Sequence, residues 1–157
     1  MFSIFATLNV AYSGELPDEV KALYKTLPDK IEAKKLSDSY VMALSRNNYE
    51  EAFKLFVQSS TLVSKENFIA SSKGAEKRFG PWKDYDYVNP SAQEVKDPQT
   101  GESQYLPGYL YKISLENYRT KLFLMILMDQ NLDKPRIIAN IYTPENTVSQ
   151  EKRYDMR

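Results

Sequence analysis

The chain has 157 residues, 42% of them apolar, with 21 basic against 21 acidic side chains and neither His nor Cys. That length and apolar content support one domain with its own core and no disulfides. The missing His and Cys exclude Ser-His-Asp and Cys-His triads, thiolate nucleophiles, Cys/His zinc sites and haem held through either residue. The even charge speaks against nucleic acid, which is gripped by a surplus of Lys and Arg.

Residues 1–14 (MFSIFATLNVAYSG) carry no charge. Ala11 and Ser13 stand where a signal peptidase reads small residues, so this segment resembles a signal-peptide remnant cleaved before Gly14. It lacks a basic start, and the other reading is an apolar arm packed on the domain. Secretion or a periplasmic location is the expectation, with the cytoplasm left open.

Residues 15–143 read as a single α+β domain, helices first and strands after. Leu16-Pro17-Asp18-Glu19 and Pro28-Asp29 are helix starts, Pro at the first turn with acids beside it. Ala33, Leu36, Tyr40, Ala43 and Leu44 then recur at three- and four-residue steps, predicting a helix to about Ser45. Asn48 with Glu51 predicts a cap and a second helix buried through Ala52, Phe53, Phe56 and Val57. Ser64 caps a third, with Phe68, Ala75 and Phe79 on one side and Gly80-Pro81 as its stop.

Strands follow. Trp82–Val88 alternates, predicting Trp82, Asp84 and Asp86 on one face and Tyr85 and Tyr87 on the other. Residues 89–103 read as a polar loop, with Asp97-Pro98-Gln99-Thr100-Gly101 as its turn. Tyr109, Tyr111, Ile113 and Leu115 share one strand face, Lys112, Ser114 and Glu116 the other. Leu122–Met128, apolar on both faces, predicts a central strand. Ile137, Ala139 and Ile141 alternate with Ile138, Asn140 and Tyr142 in a fourth. Residues 144–157 read as a polar tail. No segment other than the first approaches the roughly 20 apolar residues of a membrane span.

The run Ala43-Leu44-Ser45-Arg46-Asn47-Asn48-Tyr49-Glu50-Glu51-Ala52-Phe53-Lys54-Leu55-Phe56, followed by Ser64-Lys65-Glu66-Asn67-Phe68 and Arg78-Phe79-Gly80, is similar to the A-L-x-x-G-D-Y-x-x-A-x-x-L opening of nuclear-transport-factor-two-like domains. It most resembles exported bacterial families of unknown function in that superfamily. Asn47-Asn48 stands where Gly-Asp is usual, a benign change because Asn tolerates left-handed backbone and caps helices. The resemblance covers about residues 30–143. It implies a cone, with a curved antiparallel sheet of about four strands wrapped on the long helix and a pocket at the open end. It also implies that the sheet can pair two copies face to face, with Lys121 and Phe123 as interface positions.

The candidate pocket or interaction residues are Tyr40, Trp82, Tyr85, Tyr87, Tyr109, Tyr111, Asn140 and Tyr142. Tyr85, Tyr87, Tyr109 and Tyr111 read either as an aromatic wall for an apolar or ring-shaped ligand or as ordinary cross-strand packing. Isomerases of the superfamily resemble an Asp base beside a Tyr. Asp84, Asp86 and Asp129 are the acids near strand ends here, but polar neighbours put them toward solvent. Asp129-Gln130-Asn131-Leu132-Asp133 opens like a calcium loop, yet Lys134 and Asn140 stand where Gly and Glu belong. Ser149-Gln150-Glu151-Lys152 spells S-x-x-K without its companion motifs. Lys112, Arg119 and Lys121 near Glu116 read as a solvated strand face. No catalytic, metal or cofactor residue is assigned and no cofactor is expected. The expectation is a non-catalytic domain that binds a small apolar ligand or a protein partner. The alternatives are an isomerase- or hydratase-like enzyme using Asp and Tyr, or a structural accessory domain of an envelope complex.

Overall fold

In a computed structural model of the chain, the described residues are 18, 21–22, 30–57, 63–97, 99–129, 134–144 and 153–155. Among the described residues, helices α1 (Lys30–Ser45), α2 (Tyr49–Val57) and α3 (Lys65–Phe79) precede the strands. The strands are β1 (Trp82–Lys96), β2 (Ser103–Leu115), β3 (Leu122–Asp129), β4 (Arg136–Pro144) and β5 (Arg153–Asp155). They form one antiparallel sheet in the order β4-β3-β2-β1-β5. The fold is α+β, with the helices against one face of the sheet.

The caps work as the sequence suggests. Asn48 Oδ1 accepts from the Glu51 amide at 3.3 Å and Ser64 Oγ accepts from the Asn67 amide at 3.2 Å. Each satisfies a helix-start N–H that has no partner of its own. Tyr40 and Val41 of α1, Ala52 and Phe56 of α2 and Phe68 of α3 are buried with Tyr111, Ile113, Leu124, Ile126 and Ile137 of the sheet. Tyr40, Phe56 and Phe68 meet ring to ring at 5.5–6.5 Å. Leu110, Met125 and Leu127 form a second buried group with partners such as Leu106 and Ile141. Leu122–Met128 is thus apolar toward both sides, as a central strand must be.

Three findings correct the sequence reading. Residues 89–96, expected in a loop, continue β1 and pair with Ser103–Leu110. Their polarity misleads because the pairing partner, not propensity, keeps them extended. Pro90 is tolerated because it follows a register shift between Tyr87 and Asn89, where the ladder is already interrupted. Second, Arg153–Asp155 of the expected tail pairs with Ser91–Gln93 as an edge strand. Third, two more irregularities change which side chains share a face. One between Trp82 and Asp84 places Trp82 with Tyr85 beside the helices instead of with the acids. Another between Leu127 and Met128 skips Ile138, so Ile137 joins the helix-side core while Ala139 and Ile141 pack on the other side. An extra residue in one strand does this because side chains alternate strictly with period two. Residues 1–14, 130–133 and 145–152 lie outside the described residues, and with them the signal-peptide reading, most of the calcium-like loop and the S-x-x-K tetrapeptide.

Candidate functional site

The face of α3 that begins at Phe68 continues at four-residue steps through Ser72 and Glu76 to Gly80. Phe68 is 2% exposed and anchors this face in the core. Beyond it come Ser71, Ser72, Gly74 and Ala75, all too small to reach the sheet. The helix therefore leaves space, and a cavity of about 350 Å³ opens there. Its far wall is the sheet: Trp82, Leu115 and Leu122, with Asn140 and Tyr142 from β4. Leu44 and Tyr49, at the junction of α1 and α2, form its inner end.

The end of α3 is fastened to the β2–β3 turn. Gly80 has φ +80° and donates its amide to the Glu76 carbonyl at 2.7 Å. The amides of Glu116 and Asn117 donate to the carbonyls of Pro81 (2.9 Å) and Phe79 (3.2 Å). That docking sets the Tyr118 ring edge-on to Phe79 with centroids 5.2 Å apart. Both rings line the cavity, as does the Trp82 indole, itself braced by Tyr85 at 5.9 Å.

Glu76 places a carboxylate in this aromatic wall. Asn47 Nδ2 donates to Glu76 Oε1 at 3.0 Å. The Tyr49 hydroxyl donates to Glu76 Oε2 at 2.7 Å. Asn47 reaches over because its backbone is left-handed, φ 57°, a conformation Asn accepts more readily than most residues. Burial pushes the Tyr49 hydroxyl well above the ordinary phenol range, and the bond to Glu76 with its charge adds to the rise. Tyr142 is raised as well, chiefly by burial, with a side-chain hydrogen bond from Asn140 pulling the other way. Both hydroxyls thus remain protonated through the neutral range.

The eight residues singled out from sequence divide into separate groups. Trp82, Asn140 and Tyr142 line the cavity and Tyr85 stands behind Trp82. Tyr40 lies in the core, fully buried, and is no wall residue. Tyr87, Tyr109 and Tyr111 belong to another cluster, under the first half of α1. There Lys34 Nζ sits 3.9 Å from the Tyr87 ring centroid, and the Tyr111 hydroxyl meets Ser37 Oγ (2.8 Å) and Asp38 Oδ1 (2.7 Å). Asp84 and Asp86 are exposed and away from the cavity. The sequence reading missed Tyr49, Glu76, Phe79 and Tyr118. Glu76 did leave a signal: it falls eight residues after Phe68, a carboxylate on an otherwise apolar or small face. Tyr118 left none, because its position follows from how a turn docks.

Among the described residues, no group of three or more acidic side chains is placed to hold a metal ion. No helix among them is long and apolar enough to cross a membrane. No family model, no curated protein and no solved structure matches this chain.

Proposed function

We propose that this domain binds a small, ring-bearing molecule in the cavity between α3 and the sheet. The observation that carries the reading is the aromatic wall of Trp82, Phe79, Tyr118 and Tyr142 around a space of about 350 Å³. Small-molecule sites run from about 300 to 1,000 Å³ and combine apolar lining with a few fixed polar groups. Glu76, Asn140 and the two tyrosine hydroxyls are those groups here. The nuclear-transport-factor-two-like resemblance supports a pocket of this kind, since it implies one at the open end of a cone. Binding is favoured over catalysis because no second carboxylate stands beside Glu76 among the described residues that line the cavity.

Trp82 is the chain's one tryptophan and lines the cavity, so its fluorescence reports occupancy. A Cβ at Gly74 would meet no atom within 4 Å, so alanine fits there and a larger side chain extends over the cavity. Neutral ring compounds such as 2-phenylethanol are expected to shift Trp82 emission saturably in the native chain. Gly74→Leu should abolish the shift while raising thermal stability, because Gly inside a helix costs about 0.5–1 kcal/mol relative to residues of higher propensity. Equal binding by the native chain and a folded Gly74→Leu variant would overturn the assignment of the cavity.

A further inference from the structure

Resting on that reading, we infer that the occupant carries an ammonium group, held by Glu76 and by the aromatic wall. Glu76 lines the cavity as a carboxylate that receives two hydrogen bonds from neutral donors, Tyr49 and Asn47. No lysine or arginine among the described residues forms an ion pair with it. Each carboxylate oxygen has a second lone-pair direction, so two acceptor positions remain for a donor arriving from the cavity. A half-buried carboxylate with neutral donors only is still short of a counter-charge. A ligand cation supplies both the donor and the charge, and hydrogen bonds to charged groups exceed those between neutral ones.

The surrounding rings fit the same chemistry. Trp82, Tyr118 and Tyr142 line the same space, and a cation within about 6 Å of an aromatic face is attracted by its quadrupole, Trp most of all. The cavity's competing charge is Arg78, which is exposed and has its guanidinium 5.0 Å from the Phe79 ring centroid. Arg78 thus belongs to the mouth, where it would favour an anion. An anionic ligand would then have to place its body against an unneutralised Glu76. The arrangement selects a primary or secondary amine on a small aromatic or alicyclic body over its alcohol or its acid.

Three probes of one shape test this on the native chain: 2-phenylethylammonium, 2-phenylethanol and 3-phenylpropionate, each titrated against Trp82 emission. The ammonium should bind at least about tenfold tighter than the alcohol, the scale expected of one charge-assisted hydrogen bond. Propionate should bind weakest. Glu76→Gln should erase the ammonium's advantage over the alcohol, and Glu76→Asp, which keeps the charge, should retain most of it. Should Glu76→Gln fail to fold, the three-probe ranking on the native chain still decides. Equal binding of ammonium and alcohol overturns the inference and leaves the cavity reading standing. Tightest binding by propionate overturns it in favour of Arg78 as the selecting charge. Binding of none of the three removes both.

Discussion

The same atom, a tyrosine hydroxyl, stabilises this protein at one position and weakens it at another. Tyr40 is fully buried in α1 and its hydroxyl has no hydrogen-bond partner among the described residues. Tyr111 is 1% exposed, and its hydroxyl donates to Asp38 while accepting from Ser37, which is itself wholly buried. A buried polar group costs free energy unless it is paired. Tyr40→Phe should therefore raise stability by about 1 kcal/mol, and Tyr111→Phe, which orphans Ser37, should lower it by about 1–3 kcal/mol. Urea unfolding of the two variants checks the opposite signs. Destabilisation by both would mean that Tyr40 has a partner after all. The twelve tyrosines are plain in the sequence, but their division is not. Which hydroxyl finds a partner depends on whether α1 presents a polar or an apolar residue to it, and that is a property of packing.

Among the elements, β2 and β3 approach so closely that Gly108 has no substitute. A Cβ there would lie 2.3 Å from the Ile126 carbonyl oxygen, a backbone atom of β3 that cannot turn aside. Gly108→Ala should cost about 3 kcal/mol or more, since the two strands must separate. A melting temperature unchanged from the native chain would show that the strands adjust freely. The helix boundaries were legible because they are written in local code: Asn48, Ser64 and Gly80 stand at the ends they close. The sheet was legible in number and order for β1 to β4 but not in face. Strict alternation assigns Trp82 to the face of Asp84 and Asp86, and Ile137 to that of Ala139 and Ile141. Each assignment fails at one irregular residue, Lys83 or Ile138, and nothing about a lysine or an isoleucine announces such a role. The cavity wall depends on the first of these, which turns the indole inward.

For the whole molecule, the buried phenols set an alkaline limit. Tyr40, Tyr49, Tyr111 and Tyr142 are all pushed above the ordinary value, each chiefly by burial. A group that holds its proton more tightly folded than unfolded contributes stability in full below its unfolded value, about pH 10 for a phenol. That contribution is lost as pH rises toward the elevated folded values. The chain should therefore lose stability progressively above about pH 10, and these four should ionise only as the fold opens. Tyrosinate absorbance followed beside near-ultraviolet circular dichroism checks this. Full ionisation of every tyrosine with the dichroism intact would contradict it. At the acid end Asp97 has the opposite sign. Amide donors from Thr100 and Gln99 hold its carboxyl below the usual range, so its small, exposed contribution is present at neutral pH and disappears on strong acidification.

The strand order also bears on how the chain reaches this state. β1, β2, β3 and β4 each pair with the next in sequence, so three of the four ladders close over short stretches of chain. The exception joins Ser91 to Asp155, and that ladder closes a loop holding the rest of the meander. Locally connected pairings form fast and distant ones slowly. The chain can accordingly assemble its helices and four-strand meander first, with the edge of β1 as the slowest of these ladders to close.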